Sequence, residues 1–407
     1  TRRPGYAWVV MIMAFLAVFG AIGLGRFGYS AILPEMQTQL GITGQQSGAL
    51  ASWNLAGYVV LAVIGGVLAT RFGVRLVVSI GVAVATVGMV ITGFAGGAGT
   101  ASLARLLTGL GGGLVLVPST ALMSAWFTCG RRGLASGIVS GGMALGLIVS
   151  GPLVPRIISA GGDDGWRMAW FVLAGVALVF AIANPLVMRN RPCQTESPHA
   201  VSPRPRLDWR RVVGSGYAWH LGVVYMMWGY AYMIYFVFLQ KRLIGDLGFS
   251  AQGAGNVFMI LGVASLACGF IWGWVSDRVG RKAAMVVMLA VEGAGSALLA
   301  LGPGTPWIIV SAVIFGLTAV GFVGIVGASC GDRFGADLAP ASFGFVTLFV
   351  GIGQAIGPVV AGMLEDAHGS LAPGFWMSAG VFAVATLVAL LLGPSTAAHE
   401  RRSGSWE

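Results

Sequence analysis

The sequence predicts an all-α membrane protein, with twelve transmembrane helices in two pseudo-symmetric six-helix bundles. Three observations predict this. The chain is 57% hydrophobic and only 9% charged, whereas soluble domains carry about 25% charged residues; lipid must solvate most of its surface. Cutting the sequence at charged and Gly/Pro punctuation leaves twelve apolar segments near the roughly 20 residues that cross a bilayer. Finally, the halves repeat. Leu40-Gly41-Ile42-Thr43-Gly44-Gln45 returns as Leu247-Gly248-Phe249-Ser250-Ala251-Gln252, and Arg71-Phe72-Gly73-Val74-Arg75 as Arg278-Val279-Gly280-Arg281-Lys282, both 207 residues on.

Taken in order, the first six segments fall at about 7–34, 48–70, 76–97, 101–127, 133–158 and 167–188. The first is too long for a signal-peptide core and lacks a small-residue cleavage pattern, so it reads as a retained helix. Residues 189–211 form the one long polar interval inside the chain, and their four prolines rule out a continuous helix. They divide an N-terminal bundle, 1–188, from a C-terminal bundle, 212–407. The second six segments fall at about 213–240, 252–276, 283–302, 306–331, 341–364 and 372–393. The 65 glycines suit close helix packing in lipid.

Charge fixes the expected orientation. With both termini inside, eighteen of the 24 Lys and Arg lie on the inner side. Only Arg156, Arg167, Lys241 and Arg242 lie outside, and Arg26 and Arg105 fall within helices. That asymmetry predicts a cytoplasmic membrane protein with cytoplasmic termini. The net charge of +10 reflects these loops; no basic stripe with interleaved aromatics points to nucleic acid. Cys129, Cys193, Cys268 and Cys330 are scattered, with neither a disulfide framework nor zinc-ligand spacing. No cofactor is expected. Gly109-Leu110-Gly111-Gly112-Gly113 follows no strand, so it reads as helix packing rather than a dinucleotide loop.

Several motifs resemble the major facilitator superfamily, over nearly the whole chain. Gly66 to Arg75 is similar to that family's loop between helices 2 and 3, and Gly273 to Lys282 to its second copy. There Asp277, with Arg71, Arg75, Arg278 and Arg281, would form conformational latches. The first copy has Thr70 where the family usually has Asp, so a latch there must use other partners. Arg105 to Gly111 resembles the helix 4 motif, and Gly146 to Pro152 the helix 5 motif. Gly28 to Pro34 and Ala341 to Leu348 are similar to the monocarboxylate-transporter branch. That branch's helix 8 Asp and Arg are absent, with Ser265 and Gly269 at those positions.

The resemblance implies a secondary transporter working by alternating access, not an enzyme. The leading expectation is a small, monocarboxylate-like organic anion, with proton coupling as an option; the alternative is efflux of hydrophobic or drug-like compounds. Beyond substrate, protons and lipid no partner is expected, and the protein reads as a monomer. Arg26 is the leading substrate anchor. An arginine in a bilayer costs about 2.5–3.5 kcal/mol on insertion scales, so it must face a wet cavity or a partner, and guanidinium grips carboxylates bidentately. The bland reading is snorkelling or structural pairing. Tyr225, Trp228, Tyr232 and Tyr235 share one face of helix 7 and would enclose the substrate, or simply pack. Tyr29, Asn54, Asn256 and Gln354 are further candidate contacts, as is Trp53. Arg105, near the outer end of helix 4, and Glu292, mid-span in helix 9, are proton-coupling or structural residues. His220 reads as interfacial.

Overall fold

A computed structural model of the protein describes residues 4–127, 132–190, 209–302 and 304–393. The described residues are helical with short turns, and none is in a strand. We number the twelve long helices α1 to α12. Helix α1, Gly5–Leu40, contains a π-helical stretch at Phe19–Phe27 and ends at Gly41, whose φ of 60° gives a left-handed C-cap. Helix α2, Gly44–Phe72, starts from a capping box in which Thr43 and Gln46 bond each other's backbone. It bends by 44° between Ala62 and Ile64. Gly73, at φ 86°, makes the turn into α3, Val74–Gly93. Helix α4 is Ala98–Trp126. A short helix, Arg132–Ser140, leads into α5, Gly142–Gly161, which turns through Gly162–Asp164 into α6, Gly165–Val187.

Trp209–Val213 precedes α7, Gly216–Lys241, which runs on through a π turn at Arg242–Asp246. Then follow α8, Ala251–Val279, and α9, Arg281–Leu301. Helices α10, Thr305–Gly335, and α11, Ala341–His368, are separated by the non-helical Gly335 (φ 75°, ψ 168°). The last, α12, is Ala372–Leu390.

Among the described residues, ten stretches are long and apolar enough to cross a membrane, eleven if the bent α2 counts as one span. One of the ten, Leu134–Val187, has 54 residues and comprises both α5 and α6, so all twelve long helices fall within these stretches. The first helix extends past its expected end at Pro34, because proline inside a membrane helix bends it without stopping it. Most of the polar interval 189–211, with Cys129, Cys193 and the basic residues Arg2, Arg3, Arg131, Arg401 and Arg402, lies outside the described residues.

By internal contact the chain divides into two compact units. The first comprises α1 to α6 with the adjoining ends of α7 and α8, residues 236–263, and of α11, residues 358–371. Within it α1 and α5 meet backbone to backbone: a Cβ placed on Gly146 would lie 2.2 Å from the Cα of Gly23. At the end opposite the start of α1, polar contacts join several helices. Asp366 accepts from the Gly44 and Gln45 amides at 2.6 and 2.8 Å; a carboxylate is favoured at that helix N-terminus by the axial dipole. Lys241 pairs with Glu365. Asp246 pairs with Arg242 at 2.6 Å and accepts from the Leu371 amide at 2.8 Å. Nearby the Ser30 hydroxyl donates to the Val237 carbonyl at 3.0 Å.

The second unit comprises the rest of α7, α8 and α11 with α9, α10 and α12. Here α9 and α12 are joined by Ser296 and Ser378, whose hydroxyls lie 3.2 Å apart, and Ser378 also donates to the Ala231 carbonyl of α7. On α8, the Trp272 indole donates to the Leu317 carbonyl of α10 at 2.7 Å.

The bare contact at Gly146 sets an expectation. Gly146→Leu forces a side chain into backbone and should destabilise the protein by about 1–3 kcal/mol or more, as overpacking does. A lowered melting midpoint of the detergent-purified variant checks it; an unchanged midpoint means α1 and α5 separate freely.

Candidate functional site

The polar centre of the first unit is built on α1, α2 and α4. A π-helical stretch is wider than an α-turn, and such bulges are frequent at functional sites. Phe19-Gly20-Ala21-Ile22-Gly23-Leu24-Gly25-Arg26-Phe27 suits one because its three glycines let neighbouring helices close in. Arg26 is the last residue but one of the stretch, part-buried, while the residues before it and Phe27 after it are buried. Its guanidinium carbon lies 4.3 Å from the centre of the Tyr58 ring, a cation–π distance. Its Nε–H donates to Oδ1 of Asn54 at 3.2 Å. The Asn54 amide in turn donates to the Arg105 carbonyl at 3.1 Å. Asn54 therefore ties α1 to α4 through its two polar atoms.

Arg105 lies beside this group instead of reaching for the surface. It is 1% exposed, although the sequence places it near the outer end of its helix. One terminal N–H donates to the Gly25 carbonyl at 2.5 Å. The guanidinium lies 4.5 Å from the Tyr29 ring and 5.5 Å from that of Trp170. Carbonyl and aromatic faces replace water here, and they hold Arg105 inside the bundle. Its charge is near enough to Arg26 for the two to act on each other, so two positive groups share one apolar interior. Tyr29 is itself pinned, donating to the Ser47 carbonyl at 2.8 Å.

In the second unit Tyr225, Trp228 and Tyr232 stack along α7. The Trp228 ring lies 5.4 Å from Tyr225 and 4.4 Å from Tyr232, and 5.1 Å from Phe322 of α10. Tyr235 does not join that stack. It lies seven residues beyond Trp228, about 10 Å along the axis. There it stacks on Phe315 at 3.7 Å and shares a 2.7 Å hydrogen bond with Ser311. All four rings are buried. Glu292 of α9 is 0% exposed. The Trp228 indole and the Thr318 hydroxyl face its carboxyl. Neither closes a hydrogen bond, and both carboxyl oxygens and the indole nitrogen are without a partner. Gln354 is half-buried where α11 passes Gly229 of α7. Two candidates are exposed, Trp53 at 47% and Asn256, which accepts from Gln252 of its own helix at 3.2 Å.

With this geometry in hand, comparison with known proteins is decisive for kinship. The family described as "Uncharacterised MFS-type transporter YbfB" matches residues 18–390. The chain belongs to that family. It is a multi-pass membrane transporter, not an enzyme. Among curated relatives, a probable sulfoacetate transporter, SauU, of Cupriavidus necator is 25% identical over 95% of this chain and 93% of its own length. Human monocarboxylate transporter 11 is 25% identical over 92% of this chain and 80% of its own. The hexuronate transporter of Bacillus subtilis is 23% identical over 93% of each. Among solved structures, the nucleoside transporter NupG superposes with a TM-score of 0.75 at 16% identity, covering 95% of this chain and 98% of its own. A bacterial homologue of the lysosomal transporter Spinster, inward-facing and unoccupied, gives 0.74 at 16%, covering 95% of each chain. At that identity the two structures speak for the fold alone.

The MFS-type loops between α2 and α3 and between α8 and α9 differ in how they are held. In the first, where Thr70 replaces the usual Asp, the backbone amide of Arg75 donates to Asn190 at 2.7 Å and the Arg75 side chain donates to the Pro185 carbonyl. Arg71 lies over Phe72, 5.3 Å from its centre. In the second, Arg281 is the hub. It pairs with Asp277 at 2.7 Å and with Asp332 at 3.2 Å, and donates to Ser276 at 2.6 Å. Arg278 lies on the Trp274 ring at 3.5 Å. Tyr58, Asn190 and Asp332 escaped the sequence reading. Tyr58 alone had a usable signal, since it lies one turn from Asn54 on α2.

Asn54→Ala removes both bonds of the bridging amide. The expected cost is about 1–3 kcal/mol, that of unpartnered buried groups, with a fall in melting midpoint and in transport together. Asn54→Ala at parental stability would mean the bridge holds nothing.

Proposed function

We propose that the protein is a secondary active transporter of small organic anions in the cytoplasmic membrane, with both termini cytoplasmic. The substrate carries a carboxylate or the like-charged sulfonate. The observation that carries this reading is the arginine pair: Arg26, part-exposed on a π turn, beside the buried Arg105. Water is scarce there, so a charge is expensive, and a guanidinium at such a place is stabilised by a planar oxyanion that fits its fork. Arg105 serves as the positioning residue. Its bond to the Gly25 carbonyl fixes the backbone just before Arg26, while Asn54 and the Tyr58 ring set the plane of the Arg26 guanidinium.

The relatives support the same class, because sulfoacetate, monocarboxylates and hexuronates share an acidic oxyanion on a small polar body. Efflux of hydrophobic compounds rested on free aromatic surface, and Tyr225, Trp228 and Tyr232 are buried against one another and Phe322. The cytoplasmic placement rests on the excess of Lys and Arg in one set of loops. In an alternating-access cycle the contacts of Asp366 with the α2 N-terminus and of Lys241 with Glu365 would part and re-form.

Uptake of labelled sulfoacetate, lactate and glucuronate into proteoliposomes tests the reading. Hydrogen bonds to charged groups contribute about 1.5–3 kcal/mol, so Arg26→Gln should weaken apparent affinity about 10- to 100-fold. Arg26→Lys keeps the charge but loses the fork and should fall between the two. Parental uptake by Arg26→Gln would overturn the assignment.

A further inference from the structure

The anion site does not use Glu292, and nothing in its own helix explains it. Five helices meet around that carboxyl, its own included. Its own, α9, places it at 0% exposure. From α7 the Trp228 indole faces it, and from α10 the Thr318 hydroxyl. From α8 the Cys268 thiol lies near enough to feel its charge, and that sulfur accepts the Gly321 amide of α10 at 2.9 Å. The α12 side is closed by Phe382, against Gly293, and by Ser378, bonded to Ser296 one turn from Glu292.

No cation faces the carboxyl from any of these elements, among the described residues. Helix α12 carries no charged residue, and α10 carries none before Asp332. On α9 the nearest is Lys282, ten residues away, about 15 Å along the axis. On α7, His220 is about 12 Å from Trp228 along the axis and is engaged with the Val388 carbonyl at 2.8 Å. The charged residues of α8 are Asp277 and Arg278, at its end. A carboxylate so enclosed loses its hydration without gaining an ion pair; the neutral acid is the form these walls accommodate. Thr318 is committed as a donor to Ile314, at 2.9 Å, so the indole N–H of Trp228, itself without a partner, is the donor best placed to receive the charged form. Trp228 is also the central ring of the aromatic stack on α7.

We propose that Glu292 is a proton-carrying site, and that Trp228 transmits its protonation state to the aromatic stack. The carboxylic acid releases its proton to water when the surrounding helices part, the carboxylate then takes the indole N–H as its hydrogen bond, and it recovers a proton from water before the helices close. No other atom is exchanged. That this proton drives transport rests on the anion reading above; the site itself does not.

Two measurements keep these apart. The first needs no substrate. Infrared difference spectra of the purified, reconstituted protein between acid and alkaline buffer should show a protonated-carboxyl C=O band. The band should vanish in Glu292→Gln, and the carboxylate bands that replace it in alkaline buffer should shift in Trp228→Phe, which keeps the acid but removes the donor to its charged form. No such band in the parent, or the same band in Glu292→Gln, overturns the proton site; so do unmoved carboxylate bands in Trp228→Phe for the indole's part in it. The second uses labelled sulfoacetate, lactate and glucuronate in vesicles with a pH gradient. For any of these the parent carries, Glu292→Gln should lose gradient-driven accumulation yet keep equal exchange of labelled for unlabelled anion. Undiminished accumulation overturns coupling through Glu292. If the parent carries none of the three, the anion reading for these acids fails while the infrared result still decides the site.

Discussion

Everything in this molecule answers to the cost of charge in hydrocarbon. Arg26, Arg105 and Glu292 sit in spans that are otherwise almost purely apolar, and each is kept there by a particular set of neighbours. For Arg105 these are the Gly25 carbonyl and the Tyr29 and Trp170 rings. For Arg26 they include Asn54 and Tyr58. Backbone carbonyls, amide groups and aromatic faces stand in for water at those positions, and the glycines of the π turn on α1 bring them within reach.

The same economy shapes the ends of the helices. Where α2 begins, its free amides are satisfied by Asp366 from a helix more than three hundred residues further along. Around it, the ionic groups of α7 and α11 neutralise each other, Lys241 with Glu365 and Arg242 with Asp246. The two MFS-type loops solve one problem twice with different chemistry. The second keeps acidic partners, Asp277 and Asp332, for Arg281. The first, lacking an acid at Thr70, is held through Arg75 by Asn190 and the Pro185 carbonyl. A neutral hold of that kind is less sensitive to salt than an exposed ion pair.

The fold was legible because membrane spans announce themselves by length and apolarity, and because the half-chain repeat keeps one offset of 207 residues from Leu40 to Arg75. Arg26 and Glu292 stood out for the same reason, as charges without a charged neighbour in sequence. What stayed hidden depends on partners far along the chain. The depth of Arg105 could not be read from its place along α4, since burial comes from Tyr29 and Trp170 on other helices. Tyr235 lies on the same helical face as Trp228 but two turns away, where Phe315 claims it. The π turn has no sequence signature beyond its glycines. Glu292 stands on α9 with no charged neighbour in sequence, so nothing in the sequence placed its carboxyl opposite the Trp228 indole.

Binding of the anion to Arg26 is the central claim, and it is testable without a transport assay. A ligand that binds only the folded protein raises its stability in proportion to the logarithm of its concentration over its dissociation constant. The melting midpoint of the purified protein, titrated with small carboxylic and sulfonic acids, should rise with at least one of them in the parent, rise less in Arg26→Lys and stay flat in Arg26→Gln over the same concentrations. An equal rise in the parent and in Arg26→Gln would contradict the account.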